Sequence, residues 1–109
     1  MGAILLADAL EDLYTVTTVN AATYTVLAAD TRLHVTYSAT GACAITIPSA
    51  LIIAGFDLII KDGGGDANTN NITVATEGAE TIDGSATAVI IDDYDSISLY
   101  SDGTNLFIY

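Results

Sequence analysis

Residues 59–74, IIKDGGGDANTNNITV, set two apolar, β-branched runs on either side of a segment holding three glycines, two aspartates and three asparagines. Three chemistries compete for that segment: a calcium cradle of carboxylate and amide oxygens, a phosphate cradle of glycine backbone, and a plain connection between strands. Asp62, Asp66, Asn68 and Asn70 supply closely spaced oxygens. The ligand order of an EF-hand and its closing bidentate glutamate are missing. The glycine run is not followed by GK[ST] and does not open a helix, as a phosphate loop would. The expectation is a strand-to-strand connection that needs no ligand, with those four residues as the candidate calcium ligands.

Outward from this stretch the chain repeats one theme. From Tyr14 onward, Thr, Val, Ile and Tyr alternate in short runs punctuated by Gly, Asp and Asn, the pattern of half-buried strands. Strands are expected at 14–19, 23–28, 32–37, 42–47, 56–61, 71–75, 86–91, 95–100 and 105–109. In RLHVTY, Leu33, Val35 and Tyr37 share one face while Arg32, His34 and Thr36 take the other; in DSISLY, Ile97 and Leu99 point inward. Asp62-Gly63, Asp83-Gly84 and Asp102-Gly103 each stand between strand candidates and are expected as hairpin turns, because Asp and Gly tolerate positive φ. The intervening stretches are too dissimilar to mark a repeat. The sole proline, Pro48, ends a strand because it cannot donate to a ladder. SALIIAGF, after it, is then a helical turn or an irregular link between sheets. So many short strands imply an all-β fold, a jelly-roll-like β-sandwich or small barrel, preceded by a short N-terminal arm.

Composition bounds the partners. The chain of 109 residues fits a single β domain over 14–109, with residues 1–13 as the arm. Fourteen acidic residues face two basic ones, a formal net charge of −12, so no basic patch for nucleic acid can be assembled. Salt should ease the resulting self-repulsion. MGAILLADALEDL has too short an apolar run, and no basic flank, for a signal peptide or membrane span, so the mature chain is expected to begin near Met1. Ile4, Leu5, Leu6, Leu10 and Leu13 are apolar anchors on a segment too short to fold alone. They suit either a strap on the chain's own domain or an arm that docks elsewhere.

Reactive groups are few. The single cysteine, Cys43, stands between alanines in an apolar run and is expected as a buried hydrophobe. His34 lies on the polar face of its strand, which suits solvent contact better than general-base work. Asp92, Asp93 and Asp95 in IDDYDS are expected as a solvated turn. No catalytic residue and no cofactor is expected.

Four segments in order, AITIP (44–48), GFDLIIKDGGGDANTNNITV (55–74), GAETIDG (78–84) and DYDSISLYSDGTNLFIY (93–109), resemble a module of tailed-bacteriophage virion proteins, a β-rich unit that generally trimerises. The module commonly has an aromatic pair with tryptophan after SDGTN; Leu106 and Phe107 stand there in this chain. The resemblance implies a structural virion protein and a homotrimer. Because the module fills almost the whole sequence, the expected role is a capsid decoration (cement) protein on the outer capsid surface. It would bridge neighbouring subunits of the major capsid protein, with Ile4, Leu5, Leu6, Leu10 and Leu13 as capsid contacts and no nucleic acid or membrane partner. The alternative is a tail-fibre or head-fibre appendage for host attachment. An enzyme such as a glycan depolymerase would want paired carboxylates about 5–10 Å apart in an aromatic-lined cleft, and the chain has no tryptophan.

Overall fold

The computed structural model describes residues 14–109, and among them nine strands form: β1 (Val16–Val19), β2 (Thr23–Thr25), β3 (Arg32–Val35), β4 (Cys43–Ile47), β5 (Asp57–Asp62), β6 (Ile72–Thr76), β7 (Thr87–Ile90), β8 (Ser96–Ser101) and β9 (Leu106–Ile108). Each coincides with an expected run to within about a residue at its ends, or occupies part of it. Short 3-10 turns at Tyr37–Ala39 and Ser49–Leu51 lie in two of the connections. The second, directly after Pro48, carries the chain from one sheet to the other, as the apolar link SALIIAGF allows.

The strands are divided between two sheets, in the orders β1-β3-β5-β8-β9 and β2-β4-β6-β7. Up to β6 the chain changes sheet at every step, and β1, β3 and β5 pair in parallel, as do β2, β4 and β6. The first six strands therefore wind as a three-turn coil, each turn placing one strand in each sheet. β7 then pairs antiparallel to β6, while β8 and β9 add antiparallel to β5 and to each other. The all-β, two-sheet expectation holds. No closed barrel forms among the described residues: the sheets end on β1 and β9 in one and on β2 and β7 in the other, with β9 further bridged by Ile82. A jelly roll would pair its strands antiparallel throughout; here only the last three strands do so.

One turn residue pair changes role accordingly. Asp62-Gly63, expected in a hairpin, is a corner between sheets, because Gly63 N–H and Gly64 N–H both donate to the Val35 carbonyl (2.8 and 2.9 Å) and draw the chain under β3. Asp83-Gly84 is a tight turn with positive φ at both residues, bridged Ile82 to Ser85. Asp102-Gly103 lies in the β8–β9 hairpin, where Asp102 Oδ1 accepts from Thr104 and Asn105 N–H (both 2.9 Å).

Period-two alternation fills the space between the sheets. Leu33, Val35, Leu58, Ile60, Leu99 and Leu106 come from one sheet; Cys43, Ile45, Ile47, Ile72, Val74 and Ile90 come from the other, and all are buried. Removing each large aliphatic side chain from water contributes about 1.5–3 kcal/mol. Cys43 is free and buried as expected, and burial pushes its thiol pKa up. Tyr37 and Ile97 pack against this core from its margin.

Candidate functional site

The loop 62–71 is organised around one side chain. Asp62 is the last residue of β5 and points inward, fully buried. Its Oδ1 accepts from the Ser38 hydroxyl and Gly65 N–H (3.0 Å), its Oδ2 from Ala67 N–H and Tyr94 N–H (3.0 Å each). Burial pushes the Asp62 carboxyl pKa up, but the Ser38 hydroxyl and the three N–H donors outweigh it, and the net position is below the ordinary carboxylate value. Four donors occupy the directions in which a carboxylate would hold a cation.

The three glycines follow from what lies on them. A Cβ on Gly63 would overlap the His34 ring, one on Gly64 would stand 2.6 Å from Ser38 Oγ and 2.8 Å from the Thr36 carbonyl, and one on Gly65 would overlap the Tyr94 ring. Gly65 also has φ +73°, which L side chains rarely adopt. The run GGG is thus a place where two rings and a neighbouring turn close onto bare backbone.

The other calcium candidates do not converge with Asp62. Asn70 Nδ2 donates to the Ser38 carbonyl (2.8 Å) and to Asp66 Oδ2 (3.2 Å), joining those two residues. Asn68 turns away, with its N–H on Asp93 Oδ1 (3.0 Å) and its Nδ2 on the Ile91 carbonyl (3.4 Å). Asp92, Asp93 and Asp95 form the expected exposed turn, at whose apex Tyr94 has φ 60°. His34 is exposed on the outer face of β3. Ile4, Leu5, Leu6, Leu10 and Leu13 lie outside the described residues.

Two surfaces emerge that strand-by-strand reading missed. On the outer face of the β1-β3-β5-β8-β9 sheet, the register aligns Val16, Arg32, Ile59 and Ser98 in one row and Asp57, Tyr100 and Phe107 in the next. Tyr100 stacks on Phe107 (centroids 5.5 Å apart) and meets Tyr109 edge-on (5.7 Å). Arg32 lies 4.5 Å from the centre of the Tyr14 ring. Tyr109 Oη donates to both Asp57 oxygens (2.8 and 2.7 Å), and that hydrogen bond, with burial adding to it, raises the Tyr109 pKa. Arg32 and Lys61, the chain's two basic residues, both stand on this face, and so does His34. The signal was available in the alternation of β8 and β9, but the gathering with Tyr14 and Arg32 depends on pairings between distant strands.

The opposite sheet turns a different surface to solvent. Its outward rows are Thr23, Ala44, Thr73 and Val89, then Thr25, Thr46, Ala75 and Thr87, with no charged side chain in either. An apolar groove of about 330 Å³ is lined by Ala28, Asp30, Thr31, Leu51, Ile53 and Phe56.

A second buried carboxylate, also missed, shapes the corner that lines that groove: Asp30 accepts from Thr17 Oγ1 (2.7 Å), Tyr24 Oη (2.6 Å) and Leu27 N–H (2.8 Å). Comparison with known protein families and with characterised proteins yields no match to this chain.

Proposed function

We propose that the protein is a structural subunit of a tailed-bacteriophage virion, a capsid decoration protein that sits as a homotrimer on the outer capsid surface and bridges neighbouring major capsid subunits. The observation that carries this reading is where the virion-module segments fall. AITIP forms β4 and its proline stop, residues 55–74 form β5, the Asp62 corner and the start of β6, TIDG forms the tight turn, and 93–109 form β8, its hairpin and β9. Asp62, Asp83-Gly84 and Asp102-Gly103, within those segments, hold corners and turns, as in a protein whose task is to be a rigid block. Among the described residues most acidic side chains stand in corners and turns, and Asp57 stands on the opposite sheet's outer face. The uncharged Thr/Ala/Val face therefore lets copies approach without opposing carboxylates. Several seats on one shell would make modest single contacts strong.

Locating the chain in virion density tests the proposal: density at junctions between capsomers on the shell is the expected result. Density at a tail tip or on a fibre would replace decoration with the appendage reading, and absence from the particle would end both.

A further inference from the structure

We infer that the apolar groove between the corner at 28–31 and the link at 51–57 takes a basic side chain, lysine or arginine, from a partner protein. Its walls are Ala28, Leu51, Ile53 and Phe56, and its lining also includes Asp30 and Asp57. Among the described residues no Lys, Arg or His lines it. An aliphatic stem carrying a cationic head matches that combination of apolar wall and carboxylate.

Charge selects the occupant. The three donors to buried Asp30, the Thr17 and Tyr24 hydroxyls and Leu27 N–H, are all neutral, so none of them cancels its formal charge. Asp57 is exposed at the start of β5, and both of its oxygens accept from the Tyr109 hydroxyl, again a neutral donor. Arg32 lies over the Tyr14 ring and outside the groove lining. Charges of one sign set against apolar, low-dielectric walls focus the field on whatever enters between them.

The walls are fixed before any ligand arrives. Ile59 N–H donates to the Thr31 carbonyl (3.0 Å) and ties the corner to β5, while Asp30 N–H donates to the Leu27 carbonyl (3.0 Å). On the other side Leu51 N–H donates to the Pro48 carbonyl (3.0 Å), Phe56 N–H to the Ile53 carbonyl (3.1 Å) and Gly55 N–H to the Ser101 carbonyl (3.3 Å). The groove's volume of about 330 Å³ stands at the lower end of the range for small-ligand sites, roughly 300–1,000 Å³. That space suits an inserted side chain better than a helix or strand. Ile53 lines the groove yet is 62% exposed, so a partner that inserts a side chain also covers apolar surface. The groove requires no particular place in a particle, so this chemistry and the decoration reading fail separately.

The test titrates the ¹⁵N-labelled full chain with Nα-acetyl-lysine methylamide and, separately, with its norleucine counterpart, which keeps the stem and lacks the ammonium. Saturable amide shifts confined to 28–31 and 51–57 are expected with the lysine compound, and binding of the norleucine compound should be weaker by roughly tenfold. No saturable shift, equal affinity for the two compounds, or shifts that follow the acidic turn at 92–95 instead would each overturn the inference. Asp57→Asn, with the dispersed amide spectrum of the β fold retained, should weaken lysine binding roughly threefold, as for an exposed ion pair. Ala28→Leu, which fills the groove, should abolish it. Unchanged affinity in either folded variant also overturns the assignment to this groove.

Discussion

Asp30 and Asp62 are both buried carboxylates that close corners of one coil, and they do so with different partners. Asp30 is held by Thr17, Tyr24 and Leu27, all from the first coil turn and the corner itself. Asp62 is held by Ser38, from the connection after β3; by Gly65 and Ala67, in its own corner; and by Tyr94, in the turn before β8. The chemistry is the same, an acceptor-only group saturated by donors. The reach differs: Asp30 shapes one local corner, whereas Asp62 ties the coil to its antiparallel cap.

That contrast orders the expected losses. Asp62→Ala should be the most damaging, about 3–5 kcal/mol by urea denaturation, because four donors lose a charged acceptor in a buried place. Gly65→Ala should follow at about 2–3 kcal/mol, since it combines an unfavourable φ with overlap against the Tyr94 ring. Asp30→Ala should cost about 1–3 kcal/mol, its donors being fewer and closer to water. Gly84→Ala has the same φ problem at +81° but open space around it, so about 1 kcal/mol is expected. If Asp30→Ala proves worse than Asp62→Ala, the distinction between corner and tie is wrong.

Acid sharpens the same comparison. The folded Asp62 pKa lies below its unfolded value of about 3.9. Its contribution is therefore present above that pH and disappears as pH falls through the folded value. The stability difference between wild type and Asp62→Asn should hold steady from neutral pH to about 5 and then shrink; a difference that is flat down to acid unfolding would place the carboxylate outside the tie.

The nine strands and the faces of β3 and β8 were legible because alternation is a local property. Pairing was not. Alternation in β3 is the same whether its neighbour is the next strand or the next but one, and only the long-range pairings show that the corners cross between sheets. Nor did spacing help: register advances from Val16 to Arg32 to Ile59 in one sheet and from Thr23 to Ala44 to Thr73 in the other, the second turn being much the longer in both. Asp62 reads in the sequence as an oxygen donor for calcium, while two of its four partners lie far away in the chain at Ser38 and Tyr94. The glycine run was recognised as permissive backbone, but the rings of His34 and Tyr94 that require it come from other strands and turns.

The smallest expected effect isolates the Asp30 corner by titration. Burial, together with the hydrogen bond to Asp30 and its negative charge, pushes the Tyr24 pKa up to about 12. The folded value lies above the unfolded one of about 10, so the stabilisation is complete below pH about 10 and is lost as pH rises through the folded value. Six tyrosines absorb as phenolates when ionised, and the spectrophotometric titration should show a late component that Tyr24→Phe removes. Tyr109, raised above the usual tyrosine value by its bond to Asp57, should remain unaffected in that variant. An unchanged late component would mean that Tyr24 does not donate to Asp30. The first corner would then rest on Thr17 and Leu27 alone, and the gap between the two carboxylates would be wider than their geometry implies.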